Sequence, residues 1–310
     1  MSTGTLAENA RAELAAIAPP ARCDRLAEVS ALFHTAGTVH LLGRGALAFH
    51  LDLAGSAIAR RAFALLRGLR VDSEIRTYHR PAFHGTTRYQ LAVDGTEHAV
   101  DVLVQAGVLD RERILLERPP GRVVARPCCR GAYLRGAFLG GGSLSGPRSL
   151  HLEVRTPTHA GAAFLRSVAS AAGVRLRVVD RPSHAAAYAK SSDAVEAYLS
   201  VAGAADTVLA LEERALVAGL RGEANRLANA DHANLVRQSR AAERQIEAVL
   251  RLRQAEQLET LAPRLQEAAE LRLRFPSLSL RELGERAEPP ATKAAMARRL
   301  ARVVELAPLA

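Results

Sequence analysis

The chain has 310 residues, 48% of them hydrophobic, three cysteines and a formal net charge of +10. That length holds two domains with cores of their own. No run of about 18 apolar residues marks a membrane helix and the amino terminus has no export pattern, so a cytoplasmic, nucleoid-associated protein with no membrane partner is expected.

The charge favours a polyanion, because neutralising phosphates is the general source of nucleic-acid affinity. Only Lys190 and Lys293 are lysines, so the excess is arginine and a GC-rich codon bias contributes to it.

An opening helix is predicted over Thr5–Ile17, stopped by Pro19-Pro20, because proline cannot continue a helix. A second helix spans Arg25–Ala36 and ends at Gly37. Strand-like runs follow at Thr38–Leu42 and Ala46–Leu53, then a helix over Ser56–Leu69, strands at Glu74–Tyr78 and Arg88–Val93, and a helix over Glu97–Ala106. This αββαββα order returns after Pro119–Pro127. The second round reads as a helix at Cys129–Leu139, strands at Ser143–Leu144 and Leu150–Arg155, a helix at His159–Ala172, strands at Arg175–Val179 and Ala185–Ala189, and a helix at Asp193–Ala202. Phe49-His50-Leu51-Asp52-Leu53 lines up with Leu150-His151-Leu152-Glu153-Val154, which places His50 opposite His151 and points to an internal duplication.

Beyond Gly203 the chain reads as helical throughout, with segments at Ala205–Gly219, Arg221–Leu252, Pro263–Arg274 and Ser279–Ala287 and a final helix. The predicted class is α+β: a duplicated domain over residues 1–220, with repeats at about 20–108 and 127–203, and an all-α domain over 221–310.

Residues 279–306 have the pattern of a helix-turn-helix: two short amphipathic helices joined through Pro289-Pro290, the second rich in cations. Met296, Leu300 and Val303 recur at helical spacing and are predicted to face inward. Ala294, Ala295, Ala297 and Arg298 then turn outward, the alanines admitting a groove floor and Arg298 able to pair bidentately with guanine. Lys293, Arg299, Arg302 and, on the preceding helix, Arg281 suit phosphates, and Thr292 suits an N-cap. Ser279 with Glu282 forms a capping-box pattern. Asn225, Arg226, Asn229, Asn234 and Arg237 mark a second polar surface, for DNA or for the first domain. The competing reading is a terminal helical hairpin with a solvated basic face.

The duplicated helices end in Thr35-Ala36-Gly37 and Gly140-Gly141-Gly142, with none of the carboxylates that a metal-dependent nuclease needs there. Gly131, Gly136 and Gly140 suit close helix packing instead. No enzyme, cofactor or metal site is expected. Cys23, Cys128 and Cys129 fit neither a disulfide framework nor CxxC spacing, so Cys128-Cys129 reads as a buried pair at a helix start, with redox activity as the alternative. Asp94, His98 and Asp101 read as solvated positions rather than ligands, and Gly43-Arg44-Gly45 as a hairpin turn. Arg175 and Arg177 alternate onto one strand face, either lining a duplex-binding saddle or merely solvated.

Several blocks together resemble the WhiA family of sporulation and cell-division transcription regulators. They are Cys128-Cys129-Arg130-Gly131-Ala132-Tyr133-Leu134-Arg135-Gly136-Ala137-Phe138-Leu139, Ser149-Leu150-His151-Leu152-Glu153, Asn225-Arg226-Leu227-Ala228-Asn229, Ala233-Asn234-Leu235, and Leu280-Arg281-Glu282-Leu283-Gly284-Glu285 before Pro289-Pro290. The resemblance implies a domain similar to LAGLIDADG homing endonucleases that has lost cleavage, fused to a DNA-reading helix-turn-helix. It places the lost metal-binding acids at Ala36 and Gly141. It further implies promoter DNA as partner, regulation of division and sporulation genes, and, in actinobacteria, a WhiB-like iron–sulfur regulator as co-partner. The family's recognition helix reads Lys-Ser-Gly-Val/Ile-Asn-His-Arg where this chain has Lys293-Ala294-Ala295-Met296-Ala297-Arg298-Arg299, so base reading here shifts onto Arg298.

Overall fold

The computed structural model describes residues 5–42, 46–79, 87–146 and 150–308. The chain divides into two compact units, Met1–Leu216 and Val217–Ala310. The Gly43-Arg44-Gly45 turn lies outside the described residues.

The first unit opens with α1 (Leu6–Ala16), started by a capping box between Thr5 and Glu8. The αββαββα order then runs twice. The first repeat is α2 (Arg22–Ala36), β1 (Gly37–Leu41), β2 (Leu47–Leu53), α3 (Ser56–Gly68), β3 (Glu74–His79), β4 (Thr87–Asp94) and α4 (Glu97–Gln105). The second is α5 (Pro127–Gly141), β5 (Gly142–Ser145), β6 (His151–Thr156), α6 (His159–Ala171), β7 (Arg177–Arg181), β8 (His184–Ala189) and α7 (Ser192–Ala202). Each repeat forms one antiparallel sheet, in the orders β1-β2-β4-β3 and β5-β6-β8-β7. The α+β class is therefore as predicted.

Period-two alternation decides which face each sheet buries. In β2, Leu47, Phe49, Leu51 and Leu53 point into the core while Ala48, His50 and Asp52 stand on the other face. At the centre of the unit α2 packs along α5. Both are buried around most of their circumference, the mark of a central rather than a surface helix. Glycine permits that approach: a Cβ on Gly136 would lie 2.5 Å from the Glu28 carbonyl, and one on Gly140 would collide with Thr35. Gly131 has a different use, facing the Val201 carbonyl of α7.

The central helices of the two repeats correspond residue for residue once the C-cap glycines Gly37 and Gly142 are matched. Arg25 spans the Pro19, Pro20 and Gly68 carbonyls, and Arg130 spans the corresponding Val124, Ala125 and Ala171 carbonyls. The strand alignment drawn from sequence is two residues out. Thr38 pairs with His50 and Ser143 pairs with Glu153, so His50 corresponds to Glu153 and not to His151. A slip of two preserves inward and outward faces, which is why hydrophobic pattern alone does not detect it.

Several further boundaries differ from expectation, among them the start of α2 at Arg22 instead of Arg25. Helix α5 begins at Pro127, since proline is well suited to a first helical position. Strand β7 starts at Arg177 because the Arg181–His184 pair across Pro182-Ser183 sets its register, leaving Arg175 ahead of the strand. The predicted segments Ala205–Gly219 and Arg221–Leu252 form one continuous helix, α8 (Ala205–Gln254). Gly219 and Gly222 each cost helix propensity, roughly 1 kcal/mol, but break nothing without a proline.

The second unit holds the rest of α8 with α9 (Pro263–Arg274), α10 (Leu280–Glu285) and α11 (Lys293–Leu306). One apolar cluster joins Ala268, Leu283, Ala287, Met296 and Leu300, and another joins Val249, Leu252, Ala269 and Val303. The buried Arg272 guanidinium fixes the α9–α10 turn by donating to the Pro276 and Leu278 carbonyls and to Gln245 on α8.

Candidate nucleic-acid interface

Helix α10 starts on the Ser279–Glu282 capping box, and hydrogen bonds from the Ser279 side chain and backbone N–H hold the Glu282 carboxyl below the usual range. Helix α11 starts on Thr292, whose hydroxyl accepts from the Ala295 N–H. Met296, Leu300 and Val303 are fully buried, which fixes the rotation of α11 about its axis. The face opposite them carries Ala294, Arg298, Ala301 and Arg302, all exposed. Ala295 and Ala297 are half-buried at its flanks, so the outward stripe is narrower than the sequence suggested and includes Ala301, which sequence reasoning missed.

The cations divide by what holds them. Lys293 and Arg298 are exposed and have no ion-pair partner among the described residues. Arg302 pairs with Glu305 and Arg281 with Glu285, both on exposed helix faces. Such pairs are worth only about 0–1 kcal/mol and exchange readily for a phosphate. Arg299 is different: it is half-buried and turned to Glu267 of α9, 3.4 Å away, which ties α11 to α9 rather than presenting a free cation. On α8, Asn225, Arg226, Asn229, Asn234 and Arg237 are all exposed, and Arg237 donates to the Asn234 side chain.

In the first unit the C-terminal ends of α2 and α5 carry no carboxylate, since Ala36 and Gly141 are the last residues before Gly37 and Gly142. Midway along α2, Glu28 is fully enclosed and held by Arg61 at 2.8 Å and Arg135 at 3.0 Å. It is saturated by guanidinium and unsuited to bind metal.

The open sheet faces differ between repeats. On the first, His40 stacks on His50, His50 meets Asp52, and Asp52 accepts from Tyr78, with Glu74 and Arg76 paired beside them. On the second, Glu153 is surrounded by His151, Arg155 and Arg181; burial raises its carboxyl, but hydrogen bonds from Arg155 and His151 and the charges of the two arginines outweigh this and hold it below the usual range. Arg177 joins this second face, whereas Arg175 lies outside the strand. His98 Nε2 donates to the Leu69 carbonyl, and His98 gathers neither Asp94 nor Asp101.

The cysteines come together from distant parts of the chain. Cys23 and Asp24 at the start of α2 meet Cys128 and Cys129 at the start of α5, with one donor atom from each lying within 4.8 Å of all the others. Cys128 is exposed, so the pair is not buried as a whole. Burial, with hydrogen bonds to the Cys23 and Cys128 sulfurs, pushes the Cys129 thiol up to about 12, and a hydrogen bond donated to the Asp24 carboxylate raises Cys128.

Comparison with known proteins follows this architecture along its length. Residues 22–109 match the WhiA N-terminal LAGLIDADG-like domain, 130–221 the WhiA LAGLIDADG-like domain, and 224–307 the WhiA C-terminal HTH domain. The probable cell division protein WhiA of Heliobacterium modesticaldum is 34% identical over 297 residues, covering 95% of this chain and 93% of that one. Its counterpart in Symbiobacterium thermophilum is 33% identical over 302 residues, covering 96% and 95%. The crystal structure of full-length WhiA from Thermatoga maritima shares the fold, with a TM-score of 0.59 over 97% of this chain and 96% of that one at 22% identity. Two LAGLIDADG-like repeats followed by a helix-turn-helix, matched in order by relatives of full length, make this chain a member of the WhiA family.

Proposed function

We propose that the chain is a sequence-specific DNA-binding regulator of cell-division and sporulation genes, acting in the cytoplasm on the nucleoid, and that its LAGLIDADG-like unit no longer cuts. The observation that carries this reading is the outward stripe of α11: Arg298 free of any ion pair among the described residues, set between the small side chains Ala294 and Ala301. Small residues let the backbone approach base edges, and a planar guanidinium pairs bidentately with guanine. Lys293 at the helix start, Arg302 and Arg281 take phosphates and fix register, and Thr292 offers a helix N-terminus to one of them. Ala295 and Ala297 line the flanks of the approach, and Arg299 braces α11 through Glu267.

Asn225, Arg226, Asn229, Asn234 and Arg237 form a second polar face for DNA or a protein partner, and a WhiB-like iron–sulfur regulator is the candidate suggested by family membership. The open face of the first sheet mixes Asp52, Glu74 and Asp94 with Arg76 and Arg88, so it lacks the uniform positive charge of a phosphate-binding surface, which supports a protein-directed role for that face.

The test is selection from a random duplex library with full-length protein and magnesium present. An enriched motif with uncut strands is expected. Arg298→Ala should flatten preference at one base pair by about 1–3 kcal/mol, while Lys293→Ala should weaken all sequences alike and lower the salt slope by about one. No enriched motif, or a motif untouched by Arg298→Ala, would sink this reading. Magnesium-dependent strand cleavage would return the chain to the nucleases.

A further inference from the structure

The pseudo-twofold relation between the repeats has a chemical product at the end of the helix pair opposite the C-cap glycines. Matching Gly37 with Gly142 makes Cys23 the counterpart of Cys128 and Asp24 the counterpart of Cys129. Each repeat thus contributes a two-residue donor pair from the first turn of its central helix, and the packing of α2 on α5 brings the two pairs face to face.

We propose that Cys23, Asp24, Cys128 and Cys129 form a tetrahedral site for one zinc ion that clips the N-terminal ends of α2 and α5 together. A tetrahedral zinc with Zn–S bonds of about 2.3 Å requires neighbouring sulfurs about 3.8 Å apart. The Cys128 and Cys129 sulfurs are 3.9 Å apart, and the Cys23 sulfur lies 3.5 Å from the Asp24 carboxylate. Consecutive residues of a helix normally diverge, so two adjacent thiols turned to one point are not a by-product of helix geometry.

Asp24 supplies a second, independent observation. The residue is 8% exposed, it has no ion-pair partner among the described residues, and the groups that hydrogen-bond to it are thiols. A carboxylate removed from water is costly unless a counter-charge or a metal compensates it, and the sulfurs beside it are the ligands that a soft divalent metal selects. Three thiolates and a carboxylate leave the bound site with an excess of negative charge. The N-terminal ends of both helices face that charge, and neither N-cap, Ala21 or Arg126, satisfies its first-turn N–H groups with a side chain. Binding expels the thiol protons to solvent. Only two of the four donors would take part in a disulfide, which would leave the buried carboxylate without a cation.

The site is tested on the full-length chain purified under reductant. Elemental analysis should find one zinc per chain. After chelation, cobalt(II) titration should give the intense visible bands of a tetrahedral ion together with a near-ultraviolet thiolate charge-transfer band, saturating at one equivalent. Asp24→Asn and Cys128→Ser, each checked for fold by circular dichroism, should weaken cobalt binding by at least the roughly tenfold that even an outer-shell partner contributes. If either variant fails to fold, the zinc content and cobalt spectrum of the unaltered chain decide the matter. A reduced chain without zinc whose cobalt form lacks the charge-transfer band overturns the proposal. So does a reduced chain that holds no metal and loses two hydrogens in air, since that identifies a thiol–disulfide pair.

Discussion

Where the first repeat sets Glu28 of α2 against Arg61 of α3, the second sets Tyr133 of α5 against Phe164 of α6. The positions correspond: Glu28 and Tyr133 precede their C-cap glycines by the same interval, and Arg61 and Phe164 follow the N-caps Gly55 and Thr158 by the same interval. One repeat fills the space with a bidentate ion pair, extended by Arg135 from the other repeat, and the other fills it with an edge-to-face aromatic pair. The backbone path tolerates either solution because it demands filled volume and satisfied polar groups, not a particular chemistry. The penalty for error differs. An aromatic pair degrades by loss of contact, whereas an ion triad that loses its only acid leaves two guanidiniums buried without charge compensation.

Glu28→Ala should therefore have the largest effect, about 3–5 kcal/mol of stability by denaturant unfolding, with Phe164→Ala of similar size through a different mechanism, a cavity. Replacing only the charge separates them: Glu28→Gln should still destabilise markedly, and indifference to that change would show that the triad is mere filling. Next in size is Gly136→Ala, which sets a Cβ against the Glu28 carbonyl and the Ala31 Cβ and should cost about 1–3 kcal/mol by overpacking. Gly121→Ala, with open space around it, should be silent by the same thermal measurement.

The arginine staples then test whether the repeats are energetically equivalent where they are chemically identical. Arg25→Ala and Arg130→Ala each remove three bonds to carbonyls and should cost about 1–2 kcal/mol apiece, matched within about 0.5. A large mismatch would mean that one repeat dominates the stability of the unit.

The smallest effect concerns pH and belongs to one repeat only. His34 is buried on α2 with its Nδ1 2.7 Å from the Ser30 carbonyl, and burial lowers its affinity for a proton; the counterpart on α5 is Leu139. The unfolded chain takes up a proton at this histidine near pH 6.5 while the folded chain resists. Stability is thus unaffected above that pH and falls as pH drops below it, by at most about 1.4 kcal/mol per unit. His34→Leu, which borrows the residue of the second repeat, should flatten the midpoint-against-pH curve in that window. An unchanged slope would remove His34 as its cause.

Legibility followed the range of the interaction involved. Helices and strands set by local periodicity, such as α9 and β2, were readable to within a residue or so, as were the inward positions Met296, Leu300 and Val303. The register of the duplication was not, since a two-residue slip leaves every side chain on its correct face and only the pairing partners Thr38–His50 and Ser143–Glu153 resolve it. The width of the α11 stripe also escaped, because it depends on how closely α9 and α10 wrap the helix: Arg299 reads as a free cation until Glu267 of α9 is placed beside it.

Read alone, the sequence determined the α+β class, the duplication, the terminal helix-turn-helix and the absence of acids at the ends of the central helices. Each of these is written in the order, spacing or identity of residues close together in the chain. Tertiary structure alone decided that Glu28 is claimed by two arginines from different helices, and that Cys23 and Asp24 meet Cys128 and Cys129. These groups are far apart in sequence and carry no spacing signal of their own. Their meeting is a consequence of how α2 packs on α5, which a linear pattern does not encode.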